Sequence, residues 1–193
     1  MAEQFEFEII FSLPPGEHDP FFLSDAVIEA GFGDAVIGTG NPKLLAVELE
    51  APGEDAESAI LNAARAIMSN LPAGTRLHEV RPDLVSLADV AAKLDVTRQT
   101  LQQREMPLPV AGGLYRINEI AAVIGRAAQP EKGRRRPRFH PDRARNWFLA
   151  GEGARSLNAK LALKALDPRS LQADPVGATE HASRQEPDPP STR

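Results

Sequence analysis

Apolar and polar side chains alternate in the stretch FEFEIIFSL near the start of the chain. At a period of two, one face of an extended segment is apolar, while Glu6 and Glu8 fall on the other face. The apolar face consists of Phe5, Phe7, Ile9, Phe11 and Leu13. This pattern predicts a half-buried β-strand.

Five further elements follow from the patterns up to residue 83. The segment FFLSDAVIEAGF has apolar residues at helical spacing and ends at Gly31, because glycine tolerates the left-handed conformation common after a helix. Residues 34–39 and 43–50 predict two strands, residues 54–71 an amphipathic helix, and residues 75–80 a last short strand. The order β-α-β-β-α-β predicts an α+β class, with a ferredoxin-like domain over residues 1–83 whose antiparallel sheet carries both helices on one face.

Charge divides the chain at about the same boundary. The net charge is -5, but residues 1–83 carry 4 basic and 15 acidic side chains, while residues 129–166 carry 10 basic and 3 acidic. Local charge, rather than net charge, meets a phosphate backbone. An acidic front part therefore does not exclude a nucleic-acid partner for the remainder.

Residues 86–103, SLADVAAKLDVTRQTLQQ, predict two short helices joined by a sharp turn. Ser86 is a suitable N-cap, and apolar residues recur at helical spacing from Leu87 onward. Asp95 lies where the chain must turn, and aspartate enters the left-handed region more readily than most residues. Thr97 is the predicted N-cap of the second helix, on which one arc contains Arg98, Gln99, Gln102 and Gln103.

Two interpretations of this arc are open. Glutamine can pair with adenine through two hydrogen bonds, and arginine can pair with guanine or phosphate, so the arc suits the major groove of DNA. The same residues are common on the solvated face of an ordinary helical hairpin. The following stretch MPLPVAGGLYRINEI favours DNA, because its prolines and its Gly112-Gly113 pair predict a hairpin-like wing and Asn118 is a suitable cap for a further helix.

The segment LADVAAKLDVTRQTL…LPVAGGLYRINEI, within residues 84–128, resembles the winged helix-turn-helix of MerR-like and excisionase-like DNA-binding domains. The chain is similar to small bacterial regulators that carry an acidic αβ domain before such a module, although Asp95 stands where a turn glycine is expected. The resemblance implies that the second helix enters the major groove and that the arginine of the wing contacts a phosphate. The DNA-binding residues that it implies are Thr97, Arg98, Gln99, Gln102, Gln103, Arg104, Tyr115 and Arg116.

Residues 129–166 predict a basic linker with a helical segment. The run RRRPR is either a solvated linker or a sequence-independent phosphate contact through Arg134, Arg135 and Arg136. An apolar anchor, Trp147, Phe148 and Leu149, is expected to dock on the protein's own core or on a dimer partner. Residues 167–193 contain almost no large apolar side chains and predict a disordered tail.

No pattern nominates an enzyme, so we expect no catalytic residues, no cofactor and no metal site. The chain has no cysteine, its 4 histidines are scattered, and GFGDAVIGTG lacks the ending of a phosphate-binding loop. No apolar run approaches the roughly 20 residues that span a bilayer, and the N-terminus does not resemble a signal peptide. These features predict a cytoplasmic protein with no membrane contact.

The leading hypothesis is a homodimeric transcriptional regulator that binds double-stranded DNA. One short recognition helix reads few base pairs, and a two-fold pair doubles the contacts. The alternative is an antitoxin-like or adaptor protein that acts through a protein partner of its acidic domain or its C-terminal segment.

Overall fold

The computed structural model describes residues 2–128 and 141–173. Within residues 2–83, which we call the front part of the molecule, the chain forms four antiparallel strands and two helices. The strands are β1 (Glu3–Ser12), β2 (Val36–Gly38), β3 (Leu44–Gly53) and β4 (Arg76–Arg81), and the helices are α1 (Pro20–Glu29) and α2 (Ala56–Met68). The strand order in the sheet is β2-β3-β1-β4. The mixed α+β class is as predicted, and these six elements occur in the predicted order.

The two faces of the sheet differ because the side chains of β1 alternate. The buried side chains of β1 in the first core include Phe5, Phe7, Ile9 and Phe11. On the other face, Glu6 lies opposite Glu50 and Glu8 lies opposite Glu48. Directly opposed like charges destabilise a strand pair. Arg81 reduces this repulsion, since its Nη1 lies 3.3 Å from Glu8 Oε2.

Side-chain caps fix where the two front helices begin. Asp55 Oδ1 accepts a hydrogen bond from the Ser58 N–H at 2.7 Å, so α2 begins at Ala56 rather than at residue 54 as predicted. Asp19 caps α1 in a similar way, and Pro20 follows at the first helical position. The apolar stripe of α2 lies in the first core and contains Ala59, Ile60, Ala63, Ala64 and Ile67.

Residues 84–128 form a second, smaller unit. Its elements are β5 (Leu84–Ser86), α3 (Leu87–Lys93), α4 (Arg98–Gln102), β6 (Leu114–Arg116) and α5 (Ile117–Ala128). The strands β5 and β6 pair antiparallel, and apolar side chains from all three helices meet in a second core. The prediction that Asn118 caps the last helix is wrong, because α5 already begins at Ile117 and Asn118 Oδ1 accepts a hydrogen bond from Arg155 Nη1 at 2.7 Å.

A 3-10 turn, Pro141–Ala144, leads into the long helix α6 (Arg145–Ala162), which packs into both cores. Trp147 and Phe148 lie in the second core, so this aromatic anchor docks on the protein's own core, one of the two predicted possibilities. Farther along the helix, the first core receives Ala150, Ala154 and Leu157. The predicted helical segment therefore exists, and it joins the front part to the second unit.

Residues 163–173 return along the front part of the molecule. The Leu77 N–H donates to the Pro168 carbonyl oxygen at 2.8 Å, and Leu166 and Leu171 are buried in the first core. The prediction of a disordered tail from residue 167 is therefore wrong for residues 167–173, and its remainder, residues 174–193, lies outside the described residues. Across the described ranges, the helices are all too short or too polar to cross a bilayer.

Candidate nucleic-acid interface

The unit formed by α3, the turn and α4 has the local structure expected from the sequence. Ser86 Oγ accepts from the Asp89 N–H at 3.2 Å, and Asp89 Oδ2 accepts from the Ser86 N–H at 2.9 Å, which is a capping box at the start of α3. Asp95 adopts φ 54°, in the left-handed region, as predicted. Thr97 Oγ1 accepts from the Thr100 N–H at 3.3 Å, so Thr97 caps α4 as predicted.

Helix α4 has a buried side and a polar outer side. It is 5 residues long, and the fully buried Leu101 anchors it in the second core. The predicted arc is exposed at every position: Arg98, Gln99, Gln102 and Gln103. Three amides and one guanidinium therefore offer hydrogen-bond donors and acceptors to a partner. We call these four residues the α4 arc.

The other residues of the predicted site are less accessible or lie elsewhere. Arg104 is half-buried, and its Nε atom is enclosed by the protein. Tyr115 packs against the second core, and Arg116 is half-buried on β6 opposite Leu84. The positions Arg134, Arg135 and Arg136 lie outside the described residues. The accessible part of the predicted site is thus the α4 arc and its cap.

The fold brings a further cation, which the sequence analysis did not single out, to the turn between α3 and α4. Arg143, in the 3-10 turn before α6, has its Nη1 3.6 Å from Asp95 Oδ2, and 63% of its side-chain surface is exposed. Because both partners are so exposed, phosphate can replace the carboxylate as the partner of this guanidinium. The sequence gives no signal for this role, since Arg143 is one of many arginines in a basic segment.

Between α4 and β6 the chain forms a tight hairpin, as the Gly112-Gly113 pair predicted. The Leu114 N–H donates to the Ala111 carbonyl oxygen, and the Val110 N–H donates to the Leu114 carbonyl oxygen, each at 2.8 Å. Gly112 and Gly113 adopt φ values of 53° and 80°. Two consecutive positive φ values are accessible to glycine at little steric cost, which explains this dipeptide at the turn.

Lys93, at the end of α3, contacts the outer face of the front sheet. Its ammonium group forms an ion pair with Glu6 and lies 3.7 Å from Glu48 Oε1. It also lies 5.9 Å from the centroid of the Trp147 ring, and burial lowers the pKa of Lys93. The charge of Lys93 is therefore used where the two units meet and is not directed to an external phosphate.

A cleft of about 520 Å³ lies beside this ion pair. Its lining contains two cations, Arg81 and Lys93. The carboxylates in the lining are more numerous: Glu6, Glu8, Glu48, Glu79, Asp83 and Asp89. This excess of negative charge repels phosphate, so the cleft does not suit a nucleic-acid backbone.

Neither a metal centre nor a similar protein indicates the function. No group of three or more His, Asp or Glu side chains within residues 2–128 and 141–173 is arranged to hold a metal ion. Comparisons of the chain with family models, curated proteins and solved structures gave no significant match. The chemistry of the exposed side chains is therefore the basis for a functional proposal.

Proposed function

We propose that the protein binds double-stranded DNA sequence-specifically and regulates transcription. In this proposal residues 84–128 form a winged helix-turn-helix with α4 as its recognition helix, and the front part is a ferredoxin-like domain. The observation that carries the proposal is the α4 arc, because four exposed hydrogen-bonding side chains lie on a helix that the buried Leu101 holds from behind.

The side chains of the α4 arc match the edges of bases in the major groove. A glutamine amide can accept from N6 and donate to N7 of adenine, and Arg98 can donate two hydrogen bonds to guanine. Each such bidentate pair discriminates against a wrong base by about 1–3 kcal/mol. Contacts of Arg116 and Arg143 with phosphates would fix the register of α4 on the duplex.

We further propose that two copies bind DNA together. Helix α4 is 5 residues long, so a single copy reads few base pairs. Helix α1 leaves apolar side chains in solvent: Phe21 is 80% exposed, Phe22 53% and Ile28 51%. Burial of this side of α1 against a second copy would remove apolar area from water. A two-fold dimer would recognise an inverted repeat.

The test of DNA recognition is selection from a library of duplexes with a random core of about 20 base pairs, with the full-length protein as bait. We expect enrichment of one motif, arranged as an inverted repeat. Binding of all duplexes with equal affinity and equal salt dependence would contradict sequence-specific recognition, because phosphate contacts alone behave in this way. Sedimentation equilibrium tests the dimer, and a monomer at high-micromolar concentration would contradict it.

A second candidate function is that of an antitoxin-like or adaptor protein. The exposed apolar side of α1 favours it, because Phe21 and Ile28 could also pack against a different protein. This function would be supported by a stoichiometric protein partner that stays bound after nuclease treatment and in high salt. The same partner should be lost from Phe21→Ser. Loss of self-association in Phe21→Ser, with no other protein bound, would support the homodimer.

A further inference from the structure

The two edges of the front sheet differ in what covers them. The order β2-β3-β1-β4 places β2 at one edge and β4 at the other. At the β4 edge, the side chain of Asn158 on α6 bonds to the backbone of Val80. The Leu77 N–H also donates to the Pro168 carbonyl oxygen. Among the described residues, no strand pairs with the outer side of β2, so this edge offers backbone donors and acceptors to a further strand.

The β2 edge lacks the side chains that usually keep an exposed edge from pairing. Proteins block such edges with charges or proline, or keep them short. Residues 35–40 read AVIGTG, without a charged side chain or a proline. Strand β2 is only 3 residues long, so backbone pairing alone supplies few hydrogen bonds. A stable association through this edge therefore needs further contacts beside the strand.

Helix α1 offers such contacts, because the chain holds its end beside the start of β2. The Phe32 N–H donates to the Val27 carbonyl oxygen, and the Ala35 N–H donates to the Phe32 carbonyl oxygen, each at 3.2 Å. Ile28 follows the first of these segments and is 51% exposed, and Val36 follows the second and is 67% exposed. One partner can therefore cover apolar side chains of both α1 and β2.

The exposed side of α1 also needs additional surface to form a stable dimer. Phe21 is 80% exposed and Phe22 53%, which leaves about 200–330 Å² to bury if an aromatic side chain covers about 150–250 Å². A specific interface buries roughly 600–1,000 Å² on each partner. The adjacent uncharged edge of β2 is surface that can extend this contact.

The β2 edge fits a second copy of itself. Antiparallel pairing about a two-fold axis at Ile37 places Val36 opposite Gly38 of the second copy, so that a valine side chain faces a position without one. Glu48, opposite Val36 on β3, then lies three strand spacings from its counterpart. This is about 14 Å, and charges at physiological salt are largely screened beyond about 8 Å. The acidic character of the front part therefore does not prevent the pairing.

We infer that two copies of the protein join β2 to β2 in antiparallel register, so that their two four-stranded sheets form one continuous sheet. The apolar sides of the two α1 helices flank this junction. The inference rests on the proposed association of two copies and names the surface that forms it. Because all of these contacts lie in the front part, the dimer forms without DNA.

Sedimentation equilibrium of the full-length protein without DNA measures the dimer and the effect of three variants. Val36→Lys should raise the dimer Kd by about tenfold or more, because two ammonium groups would lie on diagonal positions across the junction. Val36→Thr keeps a β-branched side chain without charge and should associate like the wild type. Leu163→Lys is the matched control, because Leu163 is 57% exposed beyond the end of α6. Its Kd should equal that of the wild type.

A single cysteine tests the register directly, because the chain has no cysteine of its own. The proposed pairing puts the two copies of residue 36 on diagonal positions, with their Cα atoms about 7–8 Å apart. A bismaleimide with a short spacer should therefore convert Val36→Cys into a covalent dimer in the absence of DNA. Leu163→Cys should stay uncross-linked, since α6 packs on β1 and β4, away from the β2 edge.

The outcomes separate this inference from the proposed function. An unchanged dimer Kd in Val36→Lys, or no cross-link in Val36→Cys, would overturn the β2 pairing and leave DNA reading by α4 intact. A wild type that stays monomeric at high-micromolar concentration would overturn the pairing and the proposed dimer together. A wild type that dimerises through β2 but selects no DNA motif would support the pairing and contradict the DNA-binding function.

A different protein could also occupy the edge by adding a strand of its own. A stoichiometric partner that co-purifies with a wild type that does not self-associate, and that is lost from Val36→Lys but not from Leu163→Lys, would assign the β2 edge to that protein. This result would overturn the pairing of two copies.

Discussion

The side-chain amide of Asn158 forms with Val80 the two hydrogen bonds that a neighbouring strand would form. Asn158 Oδ1 accepts from the Val80 N–H at 2.9 Å, and Asn158 Nδ2 donates to the Val80 carbonyl oxygen at 2.8 Å. Val80 lies on β4, at one edge of the front sheet. Helix α6 thus pairs with backbone groups of this edge that burial would otherwise leave unsatisfied.

Replacement of Asn158 should destabilise the protein because Val80 is buried. We expect Asn158→Ala to lower the free energy of unfolding by about 2 kcal/mol, since the two bonds to Val80 and a third, to Asp83 Oδ2, are lost and their partners remain. Asn62→Ala is the control: Asn62 accepts from Arg65 on the exposed side of α2, and its loss should cost less than about 0.5 kcal/mol. Urea unfolding measures both changes. Equal losses would contradict the role of Asn158 at the sheet edge.

Gly153 is required where α6 approaches the start of α2. A Cβ atom at Gly153 would lie 2.8 Å from Ala56 Cβ and 2.9 Å from Glu57 N. Gly153→Ala should therefore destabilise the fold by about 1–3 kcal/mol, although alanine is the better helix former. Gly125 on α5 has open space around its Cβ position, and Gly125→Ala should stabilise the fold by up to about 1 kcal/mol. Thermal unfolding should give shifts of opposite sign, and shifts of the same sign would refute this packing.

Acid should weaken the start of α2. The Ser58 N–H donates to Asp55 and lowers the pKa of this carboxyl group. Because the pKa is lower in the folded state, the stabilisation is complete above the ordinary value of about 3.9 and is lost as the pH falls through the folded value. Asp55→Asn retains an acceptor for the cap but does not titrate.

The advantage of the wild type over Asp55→Asn in urea unfolding should therefore shrink between about pH 6 and about pH 2. An advantage that stays constant over this range would show that the folded carboxyl has the same pKa as in the unfolded chain.

Local chemistry explains why the helices α3 and α4 and the turn between them could be predicted from the sequence. Ser86 and Thr97 are caps, Asp95 tolerates positive φ, and Leu101 falls at the buried position of its helix. Each of these features depends on residues within one or two turns of chain. The choice of Asn118 as a cap failed because Arg116 and Ile117 already lead directly from β6 into α5.

Contacts between distant segments could not be predicted from the same patterns. Helix α6 packs through small residues such as Ala150, Gly153 and Ala154, which produce no strong apolar stripe and fit only against a known partner surface. The pairing of Lys93 with Glu6 depends on how the two units dock. The exposure of Leu108 is likewise a property of the folded chain, although the flanking prolines indicated a loop.

Base reading by the α4 arc is the central claim, and a comparison of two double variants tests it most directly. Arg98→Ala/Gln102→Ala removes two side chains of the arc, and Arg169→Ala/Gln172→Ala removes the same two types from exposed positions after α6. Anisotropy is measured over a salt series with the duplex that the wild type selects and with a scrambled duplex. We predict that the arc variant loses about tenfold or more of its preference for the selected duplex, while the control retains it. Equal preference in both variants would contradict base reading and leave the α4 arc as a solvated helix face.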